Sequence, residues 1–264
     1  MTRIAHISDI HFGRIAHPGI VDALVADINA AHFDLVVVSG DLTQRAFGHQ
    51  FRAARRMLQE FDAPTLVVPG NHDVYPWWRP FSRLLDPLRR YRRIIEPDLA
   101  PSWQNGDVAV RGINSAFGWT VQGGRITEQE LEQIRTGYDG ASGDALRVLV
   151  VHHHLAALAE LGEHDLAGGA ENAFEAAQQA GVKLILCGHL HRSLSMLVNK
   201  GGTSVVVASC GTTTSSRSRE QGDLKNAFFE IIVDRKKLEI VSRTYDPARS
   251  AFLRSPDSSY ELPI

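Results

Sequence analysis

Cysteine is almost missing: Cys187 and Cys210 are the only two in 264 residues. Two cysteines cannot form the disulfide framework that staples small secreted chains, so a reducing compartment is expected. No apolar run has the length needed to cross a bilayer. The first residues, Met1-Thr2-Arg3-Ile4, run into a strand-like segment without the basic, apolar, small-residue order of a secretion signal. A cytoplasmic protein with no membrane partner is the expectation. Excess charge is also missing. Lys and Arg total 28 against 30 Asp and Glu, a net charge of −2, so the whole molecule has no footprint for nucleic acid or an anionic surface. Repeats, linkers and low-complexity stretches are not seen. What is present is 44% hydrophobic residues, enough for a substantial core.

Short β-branched and apolar runs at residues 3–8, 35–39, 65–68, 146–151 and 183–187 each give way to a polar loop. Such runs read as buried strands. Helical spacing appears between them: Ile20, Leu24 and Ile28 within residues 19–32, then residues 46–61 and 127–134. Thr127-Glu128-Gln129-Glu130 has the form of a capping box, Glu130 reaching back to Thr127. Strands alternating with helices predict an α/β fold. Residues 203–208, 227–233 and 238–244 are strand-like with few helices between, and Asp234-Arg235-Lys236-Lys237 reads as a hairpin turn, so antiparallel strands are added to the same core. The predicted organisation is one domain over residues 1–245. Residues 246–264, with Pro247, Pro256 and Pro263, are expected to form an irregular tail.

Five of the polar loops carry the chemistry: Asp9 and His11; Asp41; Asn71, His72 and Asp73; His152-His153-His154; His189 and His191. Ligands of α/β sheets bind beyond the carboxyl ends of strands, so five such ends can share one rim. Imidazole and carboxylate suit zinc, iron and manganese. Asp9-x-His11 and His189-x-His191 each place two ligands two residues apart, on one side of an extended backbone. Two metals about 3.5–4 Å apart need a group that reaches both, and Asp41, alone after Gly40, is the natural bridge. Gly40 and Gly70 let the backbone turn sharply beside the ions. A water between the ions would lose a proton near neutral pH and become the nucleophile. Taken singly, Gly-Asp or Asp-x-His is an ordinary turn. All five clusters in this order, each at a strand end, are not.

The order Asp9-x-His11, Gly40-Asp41, Gly70-Asn71-His72-Asp73, His152, Gly188-His189-x-His191 resembles the calcineurin-like metallophosphoesterases. The resemblance covers residues 9–191. His152-His153-His154 and Leu186-Cys187-Gly188-His189-Leu190-His191 look most like its bacterial cyclic-nucleotide phosphodiesterase branch. The resemblance implies two mixed β-sheets packed as a sandwich and flanked by helices, with a dinuclear centre at one edge. Asp9, His11, Asp41 and His191 would hold one ion and Asp41, Asn71, His152 and His189 the other, as iron or manganese, with zinc an alternative. Alignment with that branch selects His152 from its triplet. His154 shares its side if the strand continues, and His153 faces away.

His72 should point at the substrate phosphate, where an imidazolium would stabilise phosphoryl charge or protonate the leaving oxygen. Asp73 would orient it by accepting its other N–H, or would cap a helix. Trp77 and Trp78 would stack on a flat substrate group or simply pack a corner. The arginine-rich stretch from Arg79 to Arg93 would bind phosphates or form a solvated helix face. Arg217 or Arg219, in the polar loop 211–222, would contact a diester oxygen unless that loop is merely surface. The expected function is a phosphodiesterase acting through a metal-bridging hydroxide on a small diester of cyclic-nucleotide or glycerophosphodiester type. A phosphomonoesterase, including a protein phosphatase, would use the same site. A nuclease is less favoured because only residues 79–93 offer a basic track. A non-catalytic module would have lost ligands. The sequence has no dimerisation motif, which leaves an oligomer open.

Overall fold

A computed structural model describes the chain except residues 121–122, 163, 218–224, 235–236, 256–258 and 262–264, and for 259–261 it describes the backbone only. Arg219, the hairpin-turn residues Arg235 and Lys236, Pro256 and Pro263 therefore lie outside the described residues. In chain order the elements are β1 (Thr2–Ile7), α1 (Ile20–Ala31), β2 (Leu35–Val38), α2 (Gly48–Gln59), β3 (Thr65–Val67), α3 (Pro80–Leu85), α4 (Arg89–Ile94), β4 (Ser102–Gln104), β5 (Val108–Gly112) and α5 (Glu128–Thr136). They continue with β6 (Leu146–Val150), α6 (Ala170–Gln179), β7 (Val182–Cys187), β8 (Leu194–Lys200), β9 (Thr203–Ser209), β10 (Ala227–Asp234), β11 (Lys237–Asp246), β12 (Ala251–Ser255) and β13 (Ser259–Glu261).

Two mixed sheets result. One has the order β12-β11-β10-β1-β2-β3, with β13 also on β11; the other has the order β4-β5-β6-β7-β9-β8. Side-chain alternation explains why they stack. Ile4, Leu35 and Val37 of the first sheet join Val148, Leu184 and Leu186 of the second in an apolar layer between them. The alternate residues Ala5, Val36 and Val38 face α1 and α2, and Ile185 and Cys187 face α5 and α6. Strands covered on both faces need apolar residues at every position, which is why these runs show no polar alternation. In α1, Ile20, Leu24 and Ile28 are the buried residues, as their spacing predicts. The Thr127 N–H donates to Glu130 Oε2 at 2.9 Å, the capping box starting α5.

β1, β2 and β3 run parallel, as do β5, β6, β7 and β9. Their carboxyl ends form the rim that carries the site. The added strands are antiparallel, β10 on β1 and β11 on β10. The irregular tail expected from residue 246 is corrected: Ala251–Ser255 and Ser259–Glu261 both pair antiparallel with β11. The unpaired edge of β11 offers a row of backbone donors and acceptors that recruits these segments whatever their proline content. No described helix is long and apolar enough to cross a membrane.

Candidate metal centre

The loops after β1, β2, β3, β6, β7 and β9 meet at one point. Asp9, His11, Asp41 and His191 present ligand atoms within 4.8 Å of one another, and His152, His153 and His189 do the same beside them. In the first group His191 Nε2 lies 3.1 Å and His11 Nε2 3.5 Å from Asp9 Oδ1. In the second, Asn71 Oδ1 lies 3.2 Å from His152 Nε2 and 3.1 Å from His189 Nδ1. Asp41 joins them: its Oδ2 is 3.6 Å from His11 Nε2 and 3.5 Å from His152 Nε2.

The backbone brings this about in an unexpected way. Asp9, His11, Asp41, His189 and His191 all have positive φ, between 50° and 74°. The two Asp/His-x-His pairs therefore converge through left-handed turns rather than through extended backbone, a correction to the sequence expectation. Non-glycine residues pay for this conformation in strain, so neighbouring bonds must hold it. Asp9 N–H donates to Gly40 O at 3.1 Å and His11 N–H to Asp41 O at 3.0 Å. Thr212 and Thr214 hydroxyls donate to the Asp9 and Ile10 carbonyls at 2.9 Å. These threonines lie in the loop after β9, and nothing in their sequence marks them as braces. Gly40 has φ 105° and faces the His152 ring; a Cβ on Gly70 would overlap the Asp41 carboxylate.

The donor chemistry fits bound cations. His11 Nδ1–H donates to Thr43 O at 3.3 Å and His152 Nδ1–H to Ser39 O at 2.8 Å, so each ring is held with its Nε2 turned inward. Asp9 Oδ2 accepts from Ser8 Oγ at 2.7 Å and from His189 N–H at 3.0 Å. Its buried Oδ1 accepts no aligned hydrogen bond. A buried carboxylate oxygen with no aligned donor, ringed by imidazole nitrogens, is a place for a positive ion. Burial works to raise Asp9 and Asp41, but the surrounding imidazoles, His191 for Asp9 and His152 for Asp41, hold both carboxyls well below the usual range. Burial works to lower His152, yet Asp41 beside it pushes it up to about 9.

The neighbours of this centre revise several expectations. β6 ends at Val150, so alternation stops before the histidine triplet. His153 does not face away. Its ring lies 4.5 Å from that of His189, and its Nδ1 is 2.8 Å from Ser115 Oγ. His154 instead turns to Gly188 O and Ser209 Oγ, 3.1 Å from each. Asp73 does not meet the His72 ring. Its carboxylate accepts from Leu42 N–H, Thr43 N–H, Thr43 Oγ1 and Gly70 N–H at 3.0–3.2 Å, tying the β2 loop to the β3 loop. Burial, with Asp41 adding to it, pushes Asp73 up to about 7. His72 Nδ1–H donates to Gln44 O at 2.8 Å instead. Its Nε2 accepts from the Arg217 guanidinium, and its N–H donates to Asp41 Oδ1 at 2.8 Å. Burial, helped by the Arg217 charge and opposed by Asp41, lowers His72 to about 4. In the free protein His72 is thus neutral, and the cation beside it is Arg217. Arg217, from the loop after β9, is brought against the His72 ring. Trp77 is not: among the described residues its ring contact is with Trp78, 5.7 Å away, and it is exposed.

Residues 2–193 match the family model for calcineurin-like phosphoesterases. Among curated proteins, the chain is 28% identical over 206 residues to a 3′,5′-cyclic adenosine monophosphate phosphodiesterase of Escherichia coli K12, covering 74% of this chain and 71% of that one. It is 27% identical over 180 residues to the Haemophilus influenzae protein of the same name, covering 67% of this chain and 62% of that one. The fold matches a purple acid phosphatase from yellow lupin seeds at TM-score 0.71 and 12% identity, over 96% of this chain and 52% of that one. With nearly three quarters of its length matched by the family model, the chain belongs to the calcineurin-like phosphoesterase family.

Proposed function

We propose that the chain hydrolyses a small phosphodiester of cyclic-nucleotide or glycerophosphodiester type. Asp9, His11, Asp41 and His191 would hold one transition-metal ion and Asp41, Asn71, His152 and His189 the other. Iron and manganese suit this oxygen and nitrogen set, as does zinc. The observation that carries the reading is Asp41 Oδ2, about equally distant from an imidazole of each cluster. When bound, two such ions acidify water and offset charge on phosphoryl oxygens.

The rest is work for the chain's own side chains. The bonds from Ser8, Thr43 and the Ser39 carbonyl orient the ligands before substrate arrives. Arg217 would meet a phosphoryl oxygen through its planar guanidinium, whose donors match the geometry of a phosphate. As the guanidinium turns to that oxygen it frees His72 Nε2. The substrate's negative charge then favours a proton there, ready to pass to the leaving oxygen. The Gln44 carbonyl holds the ring in place throughout. The diester named for the Escherichia coli and Haemophilus influenzae relatives supports trying a cyclic nucleotide first.

The test is a panel on manganese-loaded protein: a bis-aryl phosphodiester, an aryl phosphomonoester, 3′,5′-cyclic AMP and single-stranded DNA. We expect kcat/KM for the best diester to exceed that for the monoester by about ten-fold or more, about 1.4 kcal/mol of transition-state preference. Monoester turnover above diester turnover would return the site to phosphatase chemistry.

A further inference from the structure

The loop that leaves His72 builds a surface the metal centre does not use. Helix α3 buries none of its residues. Phe81, Leu84 and Leu85 sit at i, i+3 and i+4, on one face, and Phe81 and Leu85 are 82% and 83% exposed. Trp77 and Trp78 precede them. The exposed Trp119 lies in a loop distant in sequence that meets the same segment: Gly118 lies against the Arg83 carbonyl and Pro87, and Arg83 also donates to Thr120 O. Scattered exposed apolar side chains are ordinary, but a contiguous group of this size marks a docking surface.

Arginines ring this lobe. Arg79, Arg89 and Arg93 are exposed. Arg52, Arg79 and Arg90 line a cleft of about 420 Å³ between the start of α2 and Pro76. Arg92 pairs with Asp86 at 2.6 Å, whereas none of the other five forms an ion pair among the described residues. In a chain of net charge −2 this is a local concentration that the overall balance conceals.

We infer that the lobe docks on an anionic phospholipid surface, with Phe81, Leu84 and Leu85 entering the headgroup layer and the arginines meeting lipid phosphates. The charge decides among occupants. A second copy across a two-fold axis would set arginines against arginines. A nucleic-acid strand would stack on the tryptophans but leave Leu84 and Leu85, which have no π face, without a role. A bilayer interface uses all three kinds of side chain: tryptophan at the headgroup level, leucine and phenylalanine below it, and arginine at the phosphates. The expectation of no membrane partner rested on net charge and on the lack of a bilayer-spanning run, and neither describes a local surface patch.

Flotation of the metal-loaded full chain with vesicles tests this, using phosphatidylcholine alone or with about 30 mol% phosphatidylglycerol to supply surface charge. We expect flotation with the anionic vesicles only, a blue shift of tryptophan emission, and weakening by added salt. The double variant Phe81→Asp/Leu85→Asp should lose about ten-fold or more in vesicle affinity. It should hydrolyse a soluble bis-aryl diester at the rate of the parent, since neither residue touches the metal centre. No flotation, or equal flotation with neutral vesicles, overturns the proposal. So does a dimer in sedimentation velocity that the double variant splits, or an oligonucleotide bound more tightly than the vesicles.

Discussion

Asn71 and His72 are chain neighbours with separate tasks, and that separation can be measured. Asn71 Oδ1 lies between two imidazoles of the second cluster. His72 contributes its backbone N–H to Asp41 and its ring to Arg217. Asn71→Ala removes a proposed ligand, so we expect one ion to bind at least about 10–100-fold more weakly, the loss found even for groups that merely support ligands. His72→Ala keeps the backbone N–H and both clusters. Two ions should remain while kcat falls about 10²–10⁴-fold, the usual worth of a positioned proton donor. Metal content by elemental analysis beside kcat separates the two, and equal metal loss would refute the division. Asp73 shows where residue-level reading stops. A carboxylate after His72 reads as its partner, yet besides Gly70 N–H its donors lie about 30 positions back, at Leu42 and Thr43. Only the packing of the β2 loop on the β3 loop discloses that.

Whole strand-end loops set the spacing of the site. The β2 and β3 loops approach so closely that Gly70 has no room for a side chain, because a Cβ would overlap the Asp41 carboxylate and backbone. Gly70→Ala must therefore move Asp41 or open the loop. We expect a loss of about 2–4 kcal/mol in stability, the range for overpacking at a buried site, together with loss of the second ion. A melting curve and metal stoichiometry equal to those of the parent would show that the loops are more yielding than their contact implies. Much at this scale was legible in the sequence. The runs ending in Asp9, Asp41, Asn71, His152 and His189 read as strands because burial on both faces demands unbroken apolar residues, and parallel strands bring those ends to one rim. The left-handed turns were not legible, since positive φ usually announces itself through glycine, and here aspartate and histidine adopt it under the hold of distant threonines. The triplet was misread for a related reason. Alternation applies only while a strand lasts, and β6 stops two residues before His152. β12 and β13 escaped because their pairing with β11 is tertiary and their own residues carry little strand signal.

For the whole molecule, the centre ties folding to metal and to pH. The sandwich closes over buried carboxylates and imidazoles, and without cations the attraction between His152 and Asp41 must stand in. His152 has its pKa raised from 6.5 to about 9 in the folded, metal-free chain. A raised histidine contributes stability that is fully present below about pH 6.5 and disappears as pH climbs through about 9, here about 3 kcal/mol. Bound metal replaces that proton, so the metal-loaded protein does not lose this contribution, and metal affinity itself rises over the same window as the imidazole deprotonates. The melting temperature of chelator-treated protein should therefore fall relative to that of metal-loaded protein as pH is raised from 6.5 to 9. At saturating metal the gap should reach about 10 °C, since about 4 kcal/mol of linkage at 1,000 times Kd corresponds to about 2–4 °C per kcal/mol in a chain of this size. The same scan on His152→Gln, which cannot titrate, should show the metal-free protein losing its pH dependence in the upper part of that window, above the titration of Asp73 at about 7. A gap that narrows with rising pH would mean that the metal-free centre is held by something other than the protonated His152 beside Asp41.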